Sequence, residues 1–395
     1  MYINRKRKTK SYTEYIKMVE QMKITDMQVT AYSAPYEQPI SNGKYTYGAT
    51  EIVVCQVMTD EGVMGTGWVH GGRLVIDTLL SLKERIQGED PFHVERIWER
   101  MYLPKVYGRK GITTRAISCV DIALWDLMGK TAGRPLRQLL GGYADRIPAY
   151  IAGGYYENSK DHKGLQEEMR RNVASGARAV KMKIGAASLQ EDLERIDAVR
   201  EAIGKDVKLL VDANNAYNRL DALKMGRELD RRGIFWFEEP LSPDDLEGCA
   251  ELRRKLDTPI AIGENEYTRW GFKQIIDSDA AQILNADAQV LGGITEWKKV
   301  ADLAMASHIL VAPHGDQEIH SHLVSAVPNG LIAEYYDNNT NALLKKMFSS
   351  PIKLGEDGSI SAPQGPGIGV NIEYGQIEKY QVFSSAGKEA QAALC

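Results

Sequence analysis

The spacing of apolar residues divides the chain into two regions with different patterns. Between residues 22 and 145, apolar and polar residues first alternate and then recur at helical spacing, which predicts an antiparallel sheet followed by helices. The predicted strands form a three-stranded meander at Ile24–Tyr32, Thr50–Thr59 and Val63–Val69. The predicted helices are Val75–Arg85, His93–Met101 and Arg115–Lys130. We therefore expect an α+β domain here.

The second region, residues 146–350, alternates short apolar strands with helical segments. Such alternation is typical of parallel strands joined by crossover helices, and it favours a closed (β/α) barrel. The alternative is an open doubly wound sheet, but no G-x-G-x-x-G fingerprint follows any of the strands. The predicted strands are Ile147–Ala152, Ala179–Ile184, Val207–Asp212, Ile234–Phe237, Pro259–Gly263, Gln282–Ala286, Ile309–Ala312 and Leu331–Tyr335.

Both ends of the chain depart from these patterns. Residues 1–21 begin with a basic stretch that lacks the apolar core of a signal peptide, so we interpret them as a solvated extension. Residues 351–395 leave the alternation after the last strand. We expect this final segment to return to the domain formed by residues 22–145.

The composition excludes several classes of protein. With 43% hydrophobic and 26% charged residues over 395 positions, the chain can form a large core. A net charge of −4 gives no electrostatic reason to expect a nucleic-acid partner. Membrane association is not expected, because no apolar run approaches the ~20 residues that span a bilayer. Four cysteines without a C-x-x-C pair argue against a zinc site and fit a reducing cytoplasm.

Acidic residues end three consecutive predicted strands of the barrel. Asp212, Glu238 and Glu264 follow one another at intervals of 26 residues, which suits one strand plus one crossover helix. A lone acid in this position is more often the N-cap of the next helix. Several in register at the carboxyl ends of barrel strands instead predict a site for a hard divalent cation, most simply Mg²⁺.

Lysine and histidine side chains provide candidate proton carriers at the same end of the barrel. Lys181 and Lys183 point to one face of their strand, and we expect their repulsion to lower the pKa of at least one of them. A lysine tuned towards neutrality can act as a general base. His314 follows the seventh strand, and Asp287 after the sixth would fix its tautomer. We interpret the other histidines as structural or surface residues: His70, His93, His162, His308, His320 and His322.

Together these motifs resemble those of the enolase superfamily. The resemblance rests on Lys181-x-Lys183, Asp212 in D-A-N, Glu238 in E-E-P, Glu264 in G-E-N, Asp287 and His314. Within the superfamily the chain is most similar to the mandelate racemase subgroup, which includes many acid-sugar dehydratases. The match extends from Met22 nearly to the C-terminus.

The resemblance implies a modified (β/α)₇β TIM-type barrel beneath an α+β capping domain. It implies one Mg²⁺ per active site, held by Asp212, Glu238 and Glu264. It also implies Lys183 as the base on one face of the substrate and the His314–Asp287 dyad on the other. The resemblance further implies that Lys181 lies beside the substrate carboxylate and lowers the pKa of Lys183. It also implies a protonated Glu334 that hydrogen-bonds the developing enediolate.

Three functions are compatible with these residues. We expect dehydration of a polyhydroxy (sugar) acid, in which loss of the proton α to the carboxylate gives an enediolate and then a 2-keto acid. The alternative is a 2-hydroxy-acid racemase or epimerase that uses the same residues. A non-catalytic, metal-stabilised scaffold is disfavoured because Lys183 and His314 are both present.

Two long connections, Ala34–Gly48 and Leu103–Gly111, are expected to act as lids. Their polar and cationic side chains favour a hydroxyl-rich substrate over an aryl one, and they are Lys44, Tyr45, Tyr47, Lys105, Tyr107, Arg109 and Lys110. We assign substrate binding to Lys44, Tyr45, Tyr47, Asn214, and Tyr155 in the A-G-G-Y-Y run. The expected partners are a small sugar acid and further copies of the chain in a homo-oligomer.

Overall fold

The computed structural model of this chain describes residues 22–337 and 341–386, so the predicted extension at residues 1–21 lies outside the described part. The first region begins with three antiparallel strands, which confirms the predicted meander. These strands are β1 Ile24–Ser41, β2 Thr46–Thr59 and β3 Met64–His70. The helices that follow are α1 Arg73–Ile86, α2 Val94–Met101, α3 Pro104–Tyr107, α4 Ile112–Ala132 and α5 Leu136–Leu139.

Strand β1 is longer than the sequence indicated, and the predicted loop Ala34–Gly48 is wrong. Pairing with β2 continues from Ala34 opposite Thr50 to Ser41 opposite Thr46, so only residues 42–45 form the tip of a hairpin. Pro35 and Pro39 had suggested a break in the strand. They are tolerated because they lie where β1 has a partner on one side only and where its register shifts.

Helix α4 packs on strand β3 through two glycines. A Cβ atom on Gly65 would lie 2.0 Å from the carbonyl oxygen of Ala123, and one on Gly67 would lie 2.1 Å from that of Cys119. Any side chain would therefore force the helix away from the sheet. The glycines bring the helix axis close to the strand, and the buried residues of α4 fill the core of this layer.

The second region is the predicted parallel barrel. Its strands are β4 Ile147–Ala152, β5 Ala179–Lys183, β6 Lys208–Asp212, β7 Phe237–Glu238, β8 Ile260–Ile262, β9 Ile283–Leu284, β10 Leu310–Val311 and β11 Ala333–Tyr335. Consecutive strands are neighbours from β4 to β10, and β11 pairs with β4. The ring is closed by backbone hydrogen bonds of Val311, whose amide donates to Asn329 and whose carbonyl accepts from Leu331, both at 2.9 Å.

Seven helices of the described residues connect these strands on the outside, which confirms the (β/α)₇β fold. They are α6 His162–Ala174, α7 Leu189–Ile203, α8 Arg219–Arg231, α9 Leu246–Lys255, α10 Thr268–Asp277, α11 Gly293–Ala306 and α12 Gln317–Val324. Helix α7 begins as its sequence indicates, with the Ser188 side chain accepting from the Glu191 amide. No described helix is long and apolar enough to cross a membrane.

After β11 the chain forms the short helix α13 Leu344–Met347, and the final segment then contacts both regions. The elements of that segment are β12 Ser359–Ile360, α14 Tyr374–Ile377, the 3₁₀ turn Glu378–Tyr380 and β13 Gln381–Ser384. Strand β12 pairs with β4 at the barrel, and β13 pairs antiparallel with β1, so the N-terminal sheet has the order β13–β1–β2–β3. The domain limits at residues 22–145, 146–350 and 351–395 stay a prediction.

Candidate active site

Three carboxylates converge at the carboxyl ends of β6, β7 and β8. Asp212 and Glu238 are the last residues of β6 and β7, and Glu264 lies just beyond β8. One oxygen atom of each acid lies within 4.8 Å of the oxygens of the other two. Asp212 and Glu238 are buried and Glu264 is half-buried. The structure thus brings together the three acids that the sequence placed at strand ends.

The donor set of this cluster fits Mg²⁺. All three groups offer carboxylate oxygens, which are the ligands that hard divalent cations prefer. Glu264 Oε2 is buried and accepts no hydrogen bond from any described residue, so a lone pair is available there. Burial alone would raise the pKa of Asp212, but Lys183 and Lys181 lower it, so the carboxylate is ionised at neutral pH. An ionised acid and an unsatisfied buried oxygen are what a cation site requires.

Strand β5 aims its two lysines into the barrel. Val180 and Met182 pack in the layer between strands and helices, so Lys181 and Lys183 point to the opposite, interior face as predicted. Lys181 Nζ lies 3.0 Å from Glu238 Oε1, 2.8 Å from Glu334 Oε1 and 3.7 Å from Asp212 Oδ2. The two ammonium groups are therefore surrounded by the same group of carboxylates.

The expected lowering of a lysine pKa is wrong for this structure. Burial does lower the pKa of both lysines, but Glu238 and Glu334 raise that of Lys181 well above its usual value. Asp212, with Oδ2 only 2.6 Å from Lys183 Nζ, likewise raises the pKa of Lys183. The sequence argument weighed the repulsion between the lysines, whereas the nearby carboxylates outweigh it. A divalent cation between those carboxylates would offset their effect.

His314 and Asp287 form the expected dyad. Nδ1 of His314 lies 3.0 Å from Asp287 Oδ2, which leaves Nε2 facing the site, 3.7 Å from Glu264 Oε2. Burial would lower the pKa of His314, but Glu264, Glu334 and Asp287 together raise it to about 10. The imidazole is thus held in one orientation with one nitrogen directed at the carboxylate cluster.

Glu334 on β11 lies in the same group of charged residues, and without a bound acid it is ionised. Burial would raise its pKa, but Lys181 and His314 lower it to about 2, so this group is an ionised acceptor. Its Oε2 accepts a hydrogen bond from the Gly315 amide at 2.9 Å. Without a bound acid Glu334 is thus ionised because Lys181 lies beside it, and the protonated Glu334 expected beside the enediolate stays a prediction.

The predicted substrate-binding residues divide into two groups. Tyr155 lies with its ring centroid 5.2 Å from Lys183 Nζ, and the Asn214 side-chain amide lies 3.4 Å from Glu264 Oε1. Tyr47 is 40% exposed, and its hydroxyl accepts a hydrogen bond from Asn42. Lys44 and Tyr45 are exposed, and the Lys44 ammonium lies 5.8 Å from the centre of the Tyr45 ring. Tyr155 and Asn214 therefore contact the catalytic cluster directly. Burial raises the pKa of Tyr47, and Lys183 and Glu264 also act on it, so this side chain lies near the same cluster.

The hairpin tip between β1 and β2 rests on the barrel mouth. Gly43 lies so close that a Cβ atom there would be 2.3 Å from Ala213 O and 2.7 Å from Ile184 O. Ser41 and Tyr156 exchange two backbone hydrogen bonds of 2.8 and 2.9 Å. The tip thus forms a wall of the site beside the ends of β5 and β6.

The second predicted lid, Leu103–Gly111, is partly helical, because α3 occupies Pro104–Tyr107. It is joined to the barrel by Lys110, whose Nζ lies 2.6 Å from Glu266 Oε1. Glu266 follows the Mg²⁺-ligand candidate Glu264 by two residues. Lys105, Val106 and Arg109 are exposed on this segment.

Three further residues contact the site, and the sequence reasoning missed them. Trp236 Nε1 donates to Glu238 Oε2 at 2.9 Å, and the Lys181 ammonium donates to the Tyr150 hydroxyl at 3.4 Å. The signal for both was strand alternation, since Trp236 precedes Glu238 by two residues and Tyr150 lies within β4. The third is His320, which lies 3.2 Å from Asp287 and had been assigned to the structural histidines.

Two family models match the chain. The model described as mandelate racemase / muconate lactonizing enzyme, N-terminal domain, matches residues 24–141. The model described as enolase C-terminal domain-like matches residues 164–376.

Several characterised proteins are similar over most of their length. An arabinonate dehydratase of Saccharolobus solfataricus is 38% identical over 85% of this chain and 91% of that protein. An L-talarate/galactarate dehydratase of Salmonella typhimurium is 32% identical over 86% of each chain. A 3,6-anhydro-alpha-L-galactonate cycloisomerase of Streptomyces coelicolor is 34% identical over 85% of this chain and 94% of that protein.

Solved structures have the same fold. The L-talarate/galactarate dehydratase of Salmonella typhimurium superimposes with a TM-score of 0.87 at 28% identity, over 97% of this chain and 96% of that one. The L-talarate dehydratase of Polaromonas sp., complexed with Mg and L-glucarate, gives a TM-score of 0.85 at 30% identity, over 92% of this chain and 98% of that one.

Proposed function

The chain belongs to the mandelate racemase / muconate lactonizing enzyme family of the enolase superfamily, and on that premise we propose that it is a Mg²⁺-dependent dehydratase of a polyhydroxy acid. The observation that carries the proposal is the pair of proton carriers around one acidic cluster. Lys183 on β5 lies against Asp212, and His314 after β10 lies against Glu264. Sugar-acid dehydratases are prominent among the similar proteins.

Asp212, Glu238 and Glu264 would hold the cation. When bound, Mg²⁺ supplies positive charge that stabilises the negative charge developing on the substrate carboxylate as the α-proton leaves. Lys181 adds a fixed ammonium group within the same buried cluster. Trp236 keeps Glu238 in place by its indole hydrogen bond. These residues bind and orient the carboxylate end of the acid.

Proton transfer falls to the two groups on either side of the bound acid. Lys183, in its neutral form, takes the proton from the carbon next to the carboxylate. His314 Nε2 faces the same space, and its proton goes to the departing β-hydroxyl, which leaves as water. The resulting enol rearranges to a 2-keto acid. Asp287 holds the His314 ring throughout, through the contact at Nδ1.

The alternative function is racemisation or epimerisation of a 2-hydroxy acid. It uses the same two groups, one as the base and the other as the acid that reprotonates the opposite face. A racemase of Streptomyces coelicolor with bound magnesium is among the structural neighbours, at a TM-score of 0.85 and 31% identity. We favour dehydration because two sugar-acid dehydratases are among the similar proteins, at 38% and 32% identity.

A substrate screen separates the functions. The protein, supplied with Mg²⁺, is incubated with a library of mono- and diacid sugars, and 2-keto acid formation and optical rotation are recorded in parallel. We expect a 2-keto acid from at least one aldonate or aldarate. Loss of rotation without a keto acid would favour the racemase. A protein that neither reacts nor exchanges α-protons with deuterated solvent would be a scaffold.

Two variants test the assigned proton carriers. In a dehydratase, His314→Asn should abolish 2-keto acid formation, while Lys183 still exchanges the α-proton of substrates of matching configuration. Lys183→Ala should lose both activities for those substrates. A racemase predicts instead that each variant keeps exchange for one enantiomer only. Nuclear magnetic resonance in deuterated water measures the exchange. Keto acid production by His314→Asn at the wild-type rate would remove His314 from the mechanism.

We also propose that the enzyme works as a homo-oligomer in the cytoplasm. Cys55, Cys119 and Cys249 are free and buried, which agrees with a reducing compartment. Light scattering would measure the mass in solution against the 44.0 kDa of one chain. A mass equal to that of a single chain at assay concentration would refute the oligomer.

A further inference from the structure

Asp287 is contacted by two histidines. Its Oδ2 lies 3.0 Å from His314 Nδ1, and its Oδ1 lies 3.2 Å from His320 Nε2. Oδ1 also accepts a hydrogen bond from the Gln289 amide at 2.7 Å. His320 lies on α12 and is fully buried. The carboxylate that orients His314 is therefore itself enclosed by a second imidazole that takes no part in the proposed proton transfers.

The hydrogen bonds of His320 determine its tautomer. Nδ1 lies 2.9 Å from the carbonyl oxygen of Asp316, which can only accept, so Nδ1 carries the hydrogen. Nε2 lies 3.0 Å from the amide of Ala288, which can only donate, so Nε2 accepts. With both bonds formed, Nε2 has no hydrogen to donate to Asp287 Oδ1, which lies 3.2 Å away. The ring therefore limits how far the carboxylate can turn without forming a hydrogen bond to it.

Gly315 shows how tightly this group is packed. Its φ is +103°, and a Cβ atom there would lie 3.0 Å from His320 Cε1 and 3.2 Å from Asp287 Oδ2. A side chain here would be strained by the positive φ and would push the imidazole or the carboxylate aside by a few tenths of an ångström. The residue immediately after His314 is thus a glycine because His320 and Asp287 occupy the space beside it.

Two residues of strand β3 contact Asp316, whose carbonyl oxygen bonds to His320. Trp68 on β3 donates from Nε1 to Asp316 Oδ2 at 2.6 Å, and His70 Nε2 lies 3.6 Å from Asp316 Oδ1. Gln289 bridges the two, because its side-chain amide donates to Trp68 O and to Asp316 Oδ2. Asp316 is therefore fixed by a strand of the other region while its own carbonyl oxygen fixes His320.

We propose that Trp68, Asp316 and His320 are positioning residues for the His314 face of the active site. The contacts run from the indole to Asp316, from its carbonyl oxygen to His320, and from that ring to Asp287, which orients His314. Lys183 is held separately by Asp212 on β6. Strand β3 thereby supports His314 through these contacts, whereas none of them leads to Lys183. This inference rests on the proposed function.

Two variants test whether these contacts support His314 without affecting Lys183. Trp68→Phe removes the indole donor but keeps an aromatic ring against Phe348, 5.2 Å away between centroids. His320→Asn keeps a donor for Asp316 O and removes the ring that packs on Asp287. In both, we expect 2-keto acid formation to fall by on the order of tenfold or more. Exchange of the α-proton by Lys183 should change by less than about twofold, since its surroundings are unaltered.

Trp125→Phe is the matched control. Trp125 Nε1 also donates from the N-terminal region to the barrel, to Thr295 Oγ1 at 2.9 Å, but that bond does not lead to His314. Trp125→Phe should retain 2-keto acid formation and α-proton exchange near the wild-type rates. Equal losses of keto acid formation and exchange in Trp68→Phe, or losses matched by Trp125→Phe, would show a general structural role and overturn the proposal.

A second measurement does not depend on turnover. In ¹⁵N spectra of the histidine rings, recorded with and without Mg²⁺, His320 should show a protonated Nδ1 and an unprotonated Nε2. The Nδ1 signal of His314 should shift in Trp68→Phe and stay in place in Trp125→Phe. A protonated Nε2 on His320, or an unmoved His314 signal, would refute the positioning role. If no acid reacts with the wild-type protein, the proposed function fails, and these spectra still decide the positioning.

Discussion

At the scale of single residues, the active site is a set of buried charges that compensate one another. Lys181 lies between Glu238 and Glu334, and Lys183 lies against Asp212. Removing one partner from such a pair leaves an uncompensated buried charge, which typically costs about 3–5 kcal/mol. Glu264 differs from the other acids, since its side chain remains 12% exposed and one of its oxygens has no hydrogen-bond donor among the described residues.

The first residue-scale prediction concerns Glu264. Glu264→Gln should lower the affinity for Mg²⁺ at least about tenfold, because an amide oxygen replaces a charged ligand. Stability in the absence of Mg²⁺ should change by less than about 1 kcal/mol. Among the described residues the side chain forms one long hydrogen bond, 3.4 Å from Asn214, and its neighbour His314 keeps Asp287 as a closer partner. Calorimetric titration and thermal unfolding measure the two quantities.

Glu266→Gln is the control for that variant. Glu266 lies two residues further along the same loop and pairs with Lys110, outside the carboxylate cluster. Its replacement should leave Mg²⁺ affinity unchanged. Wild-type affinity in Glu264→Gln would remove Glu264 from the set of ligands.

The sequence identified positions in the site better than it identified protonation states. Asp212, Glu238 and Glu264 could be found because strand ends of one barrel must meet. The ionised Glu334 and the raised pKa of Lys183 could not be predicted, because each depends on which carboxylate or ammonium lies within about 3–4 Å. His320 was overlooked because its contact with Asp287 spans a loop and a turn of helix that no sequence period reveals.

At the scale of elements, the alternation of apolar residues predicted part of the hairpin of β1 and β2 but not its full length. Alternation predicted both strands, but Pro35 and Pro39 suggested that the chain leaves the sheet at Ala34. The structure keeps it in the sheet to Ser41, because a strand with one partner tolerates proline. The approach of the tip to the barrel could not be predicted, since it is a tertiary contact between distant segments.

A substitution at the tip gives the element-scale prediction. Gly43→Ala places a methyl group where Ala213 O and Ile184 O leave no space, so the tip must move away from the barrel. We expect kcat/KM to fall by on the order of tenfold to a hundredfold, because a displacement of about 1 Å at a substrate site has effects of that size. The melting temperature should change little, because the altered contact lies at the end of the hairpin.

Gly48→Ala is the matched comparison in the same hairpin. A Cβ atom at Gly48 would meet no atom within 4 Å. This variant should retain wild-type kcat/KM. If the two alanine variants behave alike, the tip does not contribute a wall of the substrate site.

At the scale of the whole molecule, helices α4 and α11 join the two regions through a buried acid. Asp121 on α4 accepts hydrogen bonds from the amide and the hydroxyl of Thr295, at 2.9 and 2.6 Å. Gly293 lies at the start of α11, and a Cβ atom there would be 2.3 Å from Asp121 Oδ2. Burial, opposed by the bonds from Thr295, raises the pKa of Asp121 to about 7.

This acid predicts a pH dependence of stability. Since the folded pKa of about 7 exceeds the unfolded value of about 4, the stability it contributes is complete below pH ~4 and is lost as the pH rises through 7. Between pH 6 and pH 8, we expect the free energy of unfolding to fall by about 1 kcal/mol on this account. Denaturant unfolding of wild type and Asp121→Asn over this range measures it. The asparagine variant should show the smaller fall, and an equal fall in both would exclude Asp121 as the cause.

The barrel could be predicted from the sequence, whereas the contacts of the final segment could be predicted only in part. Eight strands alternating with helices specified the barrel, because right-handed crossovers leave few other arrangements. The return of the last segment was expected, but its partners were not. Strand β13 has four residues and pairs with β1 across most of the chain length, so neither its periodicity nor its separation in sequence indicated the contact.

The pairing of β13 with β1 also determines when the N-terminal sheet can be completed during protein synthesis. Ser384 pairs with Thr30, so β1 waits for its neighbour until synthesis has proceeded as far as Ser384. At about 5–20 residues per second, that delay lasts on the order of half a minute. Throughout it, the edge of β1 is open to pairing with other nascent chains. Pro35 and Pro39 lie along that edge and offer no amide hydrogen, so they shorten the stretch that such chains could join.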